Sequence, residues 1–579
     1  MRRLFLLVAL IFLSVARAAL AMPEIMPLEK IQSGMDGVAY TVIDQSGKIE
    51  PFDVKIIGLL DNGKGSAKMI MARASGDVIE KTGGVLQGMS GSPVYINGKL
   101  VGAVAAGLKE MSPYTFFITP IESMLKLWDM PDTQNQLPYN KNTALYKKIT
   151  GGGIEPETKA AIFFSGFDSN GLEFLKREMK PLGFDNFYAA SANGRNSVRA
   201  NATLEPGAPM GVAVVCGDFL VGATGTVTAV DGKKILGFGH PFTHAGNVNF
   251  FMTDSKVIGT VSGVNGNGVK ISSVGSIIGR INQDREAGVA GVLGNFPATV
   301  PITVTIKDAA TNKTETYSAK IAYNETLVPK LGSAIAYTAL SKTADSLAES
   351  TVAVNFEIKT NAVDSGTISR QNVFYSPSDV GQSAVTELLK MLTLICSNTV
   401  EESSVFGIDV TMTLDNSRKT ASLVSAVPDK KLVKPGETVN LTVTLQPYRS
   451  AEETIVIPYT VPLTRKEGPL VLDLHGGALV PVAQATGVVT PSTGTPEQIF
   501  QAKIKSLLGA NRNNQLIVET NAAPAPKTPQ ELKAEVRRIK KVQERAKKLG
   551  LKPAPANNKF DTGYIIDNVI QATINVDKF

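Results

Sequence analysis

Ser90 lies in Gly88-Met89-Ser90-Gly91-Ser92-Pro93, inside the stretch TGGVLQGMSGSPVYINGKLVGAVAAG that runs from Thr82 to Gly107. A serine hydroxyl is a poor nucleophile at its own pKa, so acyl transfer needs a base within hydrogen-bond reach and N–H donors for the oxyanion. The glycines meet the second need. With Gly88 two residues before and Gly91 one after, the backbone can turn tightly and aim the N–H groups of Gly88 and Ser90 into one concavity free of Cβ atoms. Ser92 and Pro93 then lead into VYI, a strand that would fix the loop to a sheet. By itself the hexapeptide fits a nucleophile loop and an ordinary β-hairpin loop equally well. Candidate bases are few, because the chain holds three histidines, His240, His244 and His475. His240 and His244 have the spacing of a zinc helix, but HPFTH places Pro241 where a zinc peptidase needs its glutamate base, so neither metal nor cofactor is expected.

The elements that must position these residues are mostly β-strands. Between Gly37 and Pro120, short runs rich in Val, Ile, Tyr and Phe (GVAYTVID, FDVKIIGLL, AKMIMAR, SPVYI, KLVGAVAAG, YTFFITP) alternate with turns such as DNGKG and NGK, which is barrel or sandwich punctuation. IESMLKLWDM reads as a helix and the polar run from Pro131 as a linker. A strand-helix-strand unit follows in AAIFFSGFDSNGLEFLKREMKPLGFDNFYAA. A second β series begins at Pro206, with the DGK at Asp231 marking a tight hairpin. More β-rich sequence continues to about Met412, interrupted by the helical VGQSAVTELLKMLTLI. Then LVKPGETVNLTVTLQPY looks like an immunoglobulin-type sandwich. The expected division is 1–21 signal peptide, 22–130 first β half with Ser90, 131–205 linker and small α/β insertion, 206–310 second β half with His240, 311–412 β-rich region with helix, 413–490 sandwich, and 491–579 linkers, basic helix and terminal strands.

TGGVLQGMSGSPVYINGKLVGAV resembles the nucleophile segment of the SpoIVB sporulation peptidase family, serine endopeptidases with a trypsin-like active site. It is similar, more loosely, to the Gly-Asp-Ser-Gly-Gly-Pro loop of trypsin-like enzymes. The resemblance implies a mainly β fold with a trypsin-like double β-barrel core, Ser90 as nucleophile, and Gly88 with Ser90 as oxyanion hole. GTVTAVDGKKILGFGHPF is similar to the family segment in which a hairpin strand ends in Gly-x-Gly-His, which implies His240 as general base, with His244 next in line. A histidine placed so can take the proton from Ser90 and return it to the leaving amine. His475, in LDLHGG, reads as a solvent-facing or packing residue.

The resemblance also implies an acidic orienter shortly before the serine. An ungapped comparison puts it near Ser75 in ARASGDVIEK, with Asp77 two positions away, and a bulge would bring Asp77 into register. Asp218, Asp231, Asp254 and Asp284 are also available, and a backbone carbonyl is a further option. GRINQDREAGVAGVLG resembles a glycine-rich stretch that follows the histidine in exported relatives, and reads as backbone geometry with an Asp284–Arg285 surface pair. Two departures stand out. Ser90 precedes His240, the reverse of the sporulation enzyme, although triad geometry recurs in several chain orders. There is no convincing PDZ-like module. The resemblance covers 33–127 and 206–307 and leaves the C-terminal half without an assignment.

Composition adds bounds. A chain of 579 residues with 43% hydrophobic content can bury several cores. Met1 to Ala21 reads as a secretory signal, with Arg2 and Arg3 ahead of an apolar run and Ala19-Leu20-Ala21 as the cleavage motif. No later segment is a better membrane span, so a periplasmic or secreted location follows. Cys216 and Cys396 allow at most one disulfide and read as small buried hydrophobes. The net charge of +7 is concentrated in the signal and in TPQELKAEVRRIKKVQERAKKLG. There Thr528, Pro529 and Glu531 predict a capped helix with Leu532, Val536 and Ile539 as a narrow apolar stripe. Its basic face is either simply solvated or a contact for anionic envelope polymers or membrane headgroups; nucleic acid is not expected. The partner expected is a protein or peptide substrate, captured as an added strand near YTFFITP. Two other classes fit the residues: an inactive peptidase fold serving as an envelope binding or assembly protein, and a cell-wall esterase or transpeptidase.

Overall fold

The computed structural model describes residues 22–61, 68–107, 112–132, 162–182, 187–189, 197–263, 268–400, 402–479, 494–520, 528–548 and 558–578. The expected signal segment, most of the linker after Pro131 and parts of the linkers near 490 and 525 lie outside them. The fold is mainly β.

Six strands close the first barrel: Asp36–Thr41 (β1), Glu50–Leu60 (β2), Met69–Ser75 (β3), Pro93–Ile96 (β4), Lys99–Gly107 (β5) and Thr115–Pro120 (β6), in the order β1-β2-β3-β6-β5-β4. Their alternation is the reason. In β2, Phe52, Val54 and Ile56 face the core while Asp53, Lys55 and Ile57 face out, the period of two that half-buried strands require. Asn97 and Gly98, both at positive φ, make the two-residue turn between β4 and β5. A short helix, Asp77–Thr82 (α1), leads from β3 toward the Ser90 loop. Another, Ile121–Leu125 (α2), follows β6.

Ile162–Ser165 (β7), Ser169–Met179 (α3) and Phe187–Ala189 (β8) form the expected small α/β unit, its two strands parallel. The second β series supplies Pro209–Gly217 (β9), Leu220–Asp231 (β10), Lys234–Gly237 (β11), Gly246–Val261 (β12), Val269–Arg285 (β13) and Gly288–Leu293 (β14). These pair as β9-β12-β13-β14-β11-β10, and β10 pairs back onto β9, closing a second six-stranded ring. Gly232 and Lys233 form the turn between Asp231 and Lys234, as the DGK signal predicts.

Beyond this ring, Thr299–Asp308 (β15), Lys313–Ala322 (β16), Ser350–Thr360 (β17), Thr367–Ser376 (β18) and Val405–Asp415 (β19) extend the sheet from β9 through β16. Two helices, Leu327–Thr343 (α4) and Thr386–Cys396 (α5), cover it. A four-stranded and a five-stranded sheet then enclose one apolar core, the expected sandwich. Its strands come from 420–476 and also from 515–576. Both cysteines are buried, and neither is in a disulfide.

One expectation is overturned here. The YTFFITP segment is not an edge, because β6 is paired with β3 on one side and β5 on the other. Closing a barrel removes its edges, so no peptide strand can be added there.

The two barrels are held together by an apolar cluster. Leu100, Ala103, Ile121, Met124 and Leu127 from the first side pack with Ala229, Leu236 and Ala290 from the second. Trp128 Nε1 also donates to the Ile235 carbonyl, 3.3 Å away.

Candidate active site

The Ser90 loop runs along the seam between the barrels, and both sides hold it. Gly91 N–H donates to the Val104 carbonyl of β5 at 2.7 Å, whereas the Ser90 carbonyl accepts from Thr226 N–H of β10 at 2.8 Å. Thr228 Oγ1 donates to the Gly91 carbonyl, 2.7 Å away. A Cβ on Gly91, which sits at φ +93°, would come 1.9 Å from the Thr226 carbonyl oxygen. Only glycine fits.

Within the loop the backbone donors alternate. Gln87 N–H reaches the Gly268 carbonyl, Met89 N–H the Leu86 carbonyl and Ser92 N–H the Met89 carbonyl. Among the described residues, Gly88 N–H and Ser90 N–H have no protein acceptor. These are the two donors that the sequence assigned to an oxyanion hole. Ser90 itself is half-buried, and its hydroxyl donates to the Ala105 carbonyl at 3.4 Å.

His240 arrives at the same part of β5 from the second barrel. After β11 the chain makes a γ-turn, with Gly239 N–H on the Gly237 carbonyl and Phe238 at φ +68°, a strained backbone for that residue. Thr119 Oγ1 holds the Gly239 carbonyl at 2.5 Å. A Cβ on Gly239 would lie 2.9 Å from the Val104 carbonyl oxygen, which also accepts from Gly91. Ser90 and His240 therefore each adjoin a residue packed on Val104. No hydrogen bond links them, and His240 is 5% exposed.

The imidazole has a defined tautomer. Its Nδ1 lies 2.8 Å from the Pro241 carbonyl oxygen, which can only accept, so Nδ1 carries the proton and Nε2 is left as the acceptor. Burial pushes its pKa below the usual 6.5, with the Pro241 carbonyl and the Asp284 charge pulling the other way.

Asp284 is buried rather than part of a surface pair, correcting that expectation. Its carboxylate accepts from Phe242 N–H at 2.7 Å, Thr243 N–H and Oγ1 at 2.8 and 2.7 Å, and Ala245 N–H at 3.3 Å. Arg285 instead bonds Gln283. Asp284 thus pins the segment immediately after His240, without touching the ring. Asp77 is exposed at the start of α1 and makes no hydrogen bond to His240. The group on Nδ1, where a triad carboxylate would stand, is the Pro241 carbonyl. His244 is largely exposed and lies 3.8 Å from Glu286, and His475 is buried inside the sandwich.

Sequence reasoning missed Lys270. Wholly buried, its Nζ donates to Thr41 Oγ1 at 3.3 Å and Thr226 Oγ1 at 3.1 Å. The available signal was a lone lysine between Val269 and Ile271 in the strand-like run VKISSVGSII.

Among the described residues no helix is long and apolar enough to cross a membrane. The helix Pro529–Lys548 (α6) has the predicted capping box, with Thr528 N–H on Glu531 and Glu531 N–H on Thr528. Two residues of its apolar stripe lie open, Leu532 55% and Val536 45% exposed.

Neither curated proteins nor solved structures gave a match to the chain. A family model did: residues 16–125 match SpoIVB peptidase S55. The match takes in the first barrel and Ser90 and stops before His240. The resemblance read from the Gly-Met-Ser-Gly-Ser-Pro loop is thereby borne out, and the Ser90 barrel carries a SpoIVB peptidase S55 segment.

Proposed function

We propose that the protein is an exported serine endopeptidase with Ser90 as nucleophile and His240 as general base. The observation that carries this reading is the pair of unpartnered N–H groups, Gly88 and Ser90, flanking a serine inside the segment matched to a peptidase family. Gly88 is buried, and buried amides are nearly always paired, so its open donor, with that of half-buried Ser90 beside the hydroxyl, fits a place kept for a substrate oxygen.

The chemistry proceeds in balanced steps. This chemistry requires the Ser90 side chain to leave Ala105 and meet His240 Nε2, which takes its proton as Oγ attacks the scissile carbonyl. The oxyanion is held by Gly88 and Ser90 N–H. His240, stabilised as imidazolium by the Pro241 carbonyl and the nearby Asp284 charge, returns the proton to the leaving amine. Water then repeats the sequence on the acyl-enzyme. Asp284 acts as a positioning residue for the His240 segment, while Asp77, the orienter expected from the sequence, has no contact that supports the role. Catalytic hydrogen bonds are often loose without substrate, which accommodates the resting Ser90–Ala105 contact.

That contact also favours a second reading, an inactive peptidase fold that binds envelope partners. Export itself rests on the signal-like residues 1–21. The exposed Leu532 and Val536 on the basic α6 fit a peripheral contact with an anionic surface. Labelling by a fluorophosphonate separates the two main readings. The peptidase reading expects labelling of the wild type and of His475→Ala, and none of Ser90→Ala or His240→Ala. Equal labelling of all of them, or of none, contradicts it.

A further inference from the structure

We infer that Lys270 is a positioning residue for the oxyanion hole, setting the orientation of the Gly88 peptide from both its main chain and its side chain. The inference rests on the reading of Ser90 as nucleophile.

Gly88 N–H can serve an oxyanion only if the carbonyls on either side of it are held. The Gln87 carbonyl accepts from Lys270 N–H at 2.8 Å, and because the peptide is trans this turns Gly88 N–H to the opposite side, away from β13. The Gly88 carbonyl accepts from Thr226 Oγ1 at 3.2 Å. That hydroxyl has one proton, used on Gly88, so its remaining partner must be a donor, and Lys270 Nζ is that donor at 3.1 Å. The same amine reaches Thr41 Oγ1 on β1 at 3.3 Å. One side chain thus ties the nucleophile loop to both barrels.

The packing is equally close. Gly88 is at φ +92°, and a Cβ there would lie 3.1 Å from the Lys270 carbonyl oxygen and 3.2 Å from Lys270 Cβ. A lysine buried with no acidic partner is costly. Among the described residues no carboxylate lies within ion-pair distance of it, and burial brings its pKa down to about 7. Charged or neutral, the amine keeps an N–H for Thr226, so the tether survives deprotonation. An apolar side chain would satisfy the core without that cost, which is the physical reason to assign this one a role in the loop.

The test uses the full chain, a fluorophosphonate probe, and fluorescent casein as substrate. Lys270→Met keeps the length of the side chain and removes its donors; Thr226→Val removes the hydroxyl at constant shape. Each is expected to lower the second-order labelling rate constant about 10- to 100-fold, less than the roughly 100- to 1000-fold for removing an oxyanion donor outright because the donor is misaimed rather than lost, and to lower kcat on casein more than it raises KM. Thr226→Ser, which restores the hydroxyl, recovers most of the rate. A purely structural role would instead reduce the fraction of protein that labels while leaving the rate constant of the folded fraction unchanged, and that result overturns the inference. If Lys270→Met does not fold, Thr226→Val decides by the same criterion. Wild type that never labels overturns the Ser90 reading and this one with it. Labelled wild type with unaltered rates in both variants overturns this one alone.

Discussion

In the first barrel the proposed nucleophile and its nearest supports are neighbours in sequence: Gly88, Ser90, Gly91 and the strand after Pro93 make one uninterrupted stretch, which the second barrel then holds through Thr226, Thr228 and Lys270. In the second barrel the proposed base and its supports are scattered. His240 is aimed by a γ-turn beside it, but the segment after it is pinned by Asp284, 42 positions from Phe242, across the β12–β13 pair where Gly246 faces Asp284. The family match follows the same division, taking in the contiguous device and ending before the scattered one. A nucleophile loop can be written as a word; a base held by buried polar contacts exists only once strands have paired.

The largest effect that would break this comparison comes from the reacting groups. His240→Ala and Ser90→Ala are each expected to lower kcat/KM on casein by about six orders of magnitude, the range for losing the nucleophile or the base of such a unit. A much smaller loss for His240→Ala would mean that the second barrel supplies no base. Next is the seam. Gly91→Ala forces a Cβ onto the Thr226 carbonyl at an unfavourable φ and should destabilise the folded protein by about 4 kcal/mol in urea unfolding. Gly98→Ala, with open space around it and only φ +75° to oppose it, should cost about 1 kcal/mol.

Asp284→Asn sharpens the contrast further. The amide oxygen keeps one acceptor, but the NH2 group faces backbone N–H groups, so the His240 segment shifts and kcat/KM falls about 100-fold. Asp77→Asn should leave it within about two-fold, since an exposed carboxylate away from the ring has little to lose. The smallest effect is on pH dependence. Because burial lowers the His240 pKa, the unprotonated base persists into mild acid, and the acid limb of kcat/KM should have its midpoint below the usual 6.5. The Asp284 charge opposes that shift, so the residual activity of Asp284→Asn should show a midpoint lower still.

Much of the fold is legible in the sequence because alternation and turn residues report it directly, as in Phe52-Val54-Ile56, the Asn97-Gly98 turn and the Gly232-Lys233 turn. The capping box at Thr528 and Glu531 is similarly local. What stays hidden depends on closure. YTFFITP is expected beside an open edge that a peptide could extend, yet β3 and β5 both claim it. Asp284 and Arg285 look like a surface pair because adjacent opposite charges usually are one, whereas the register of β12 on β13 buries the first of them against four donors of the His240 loop. Lys270 is the extreme case. Its partners Thr41, Gln87 and Thr226 come from three separate stretches, and none of them marks the others in the sequence.

The order of the barrels has a consequence in time. A chain emerging amino-terminus first has all six strands of the Ser90 barrel by residue 120, while Thr226, His240 and the closing strand β14 follow only up to Leu293. At about 5–20 residues per second, Ser90 precedes the contacts that orient its carbonyl, and the proposed base His240, by on the order of ten seconds or more. On the peptidase reading, the chain emerges with a serine that has neither its base nor the contacts that orient its loop, so chain order alone keeps the half-made molecule from attacking itself during that interval.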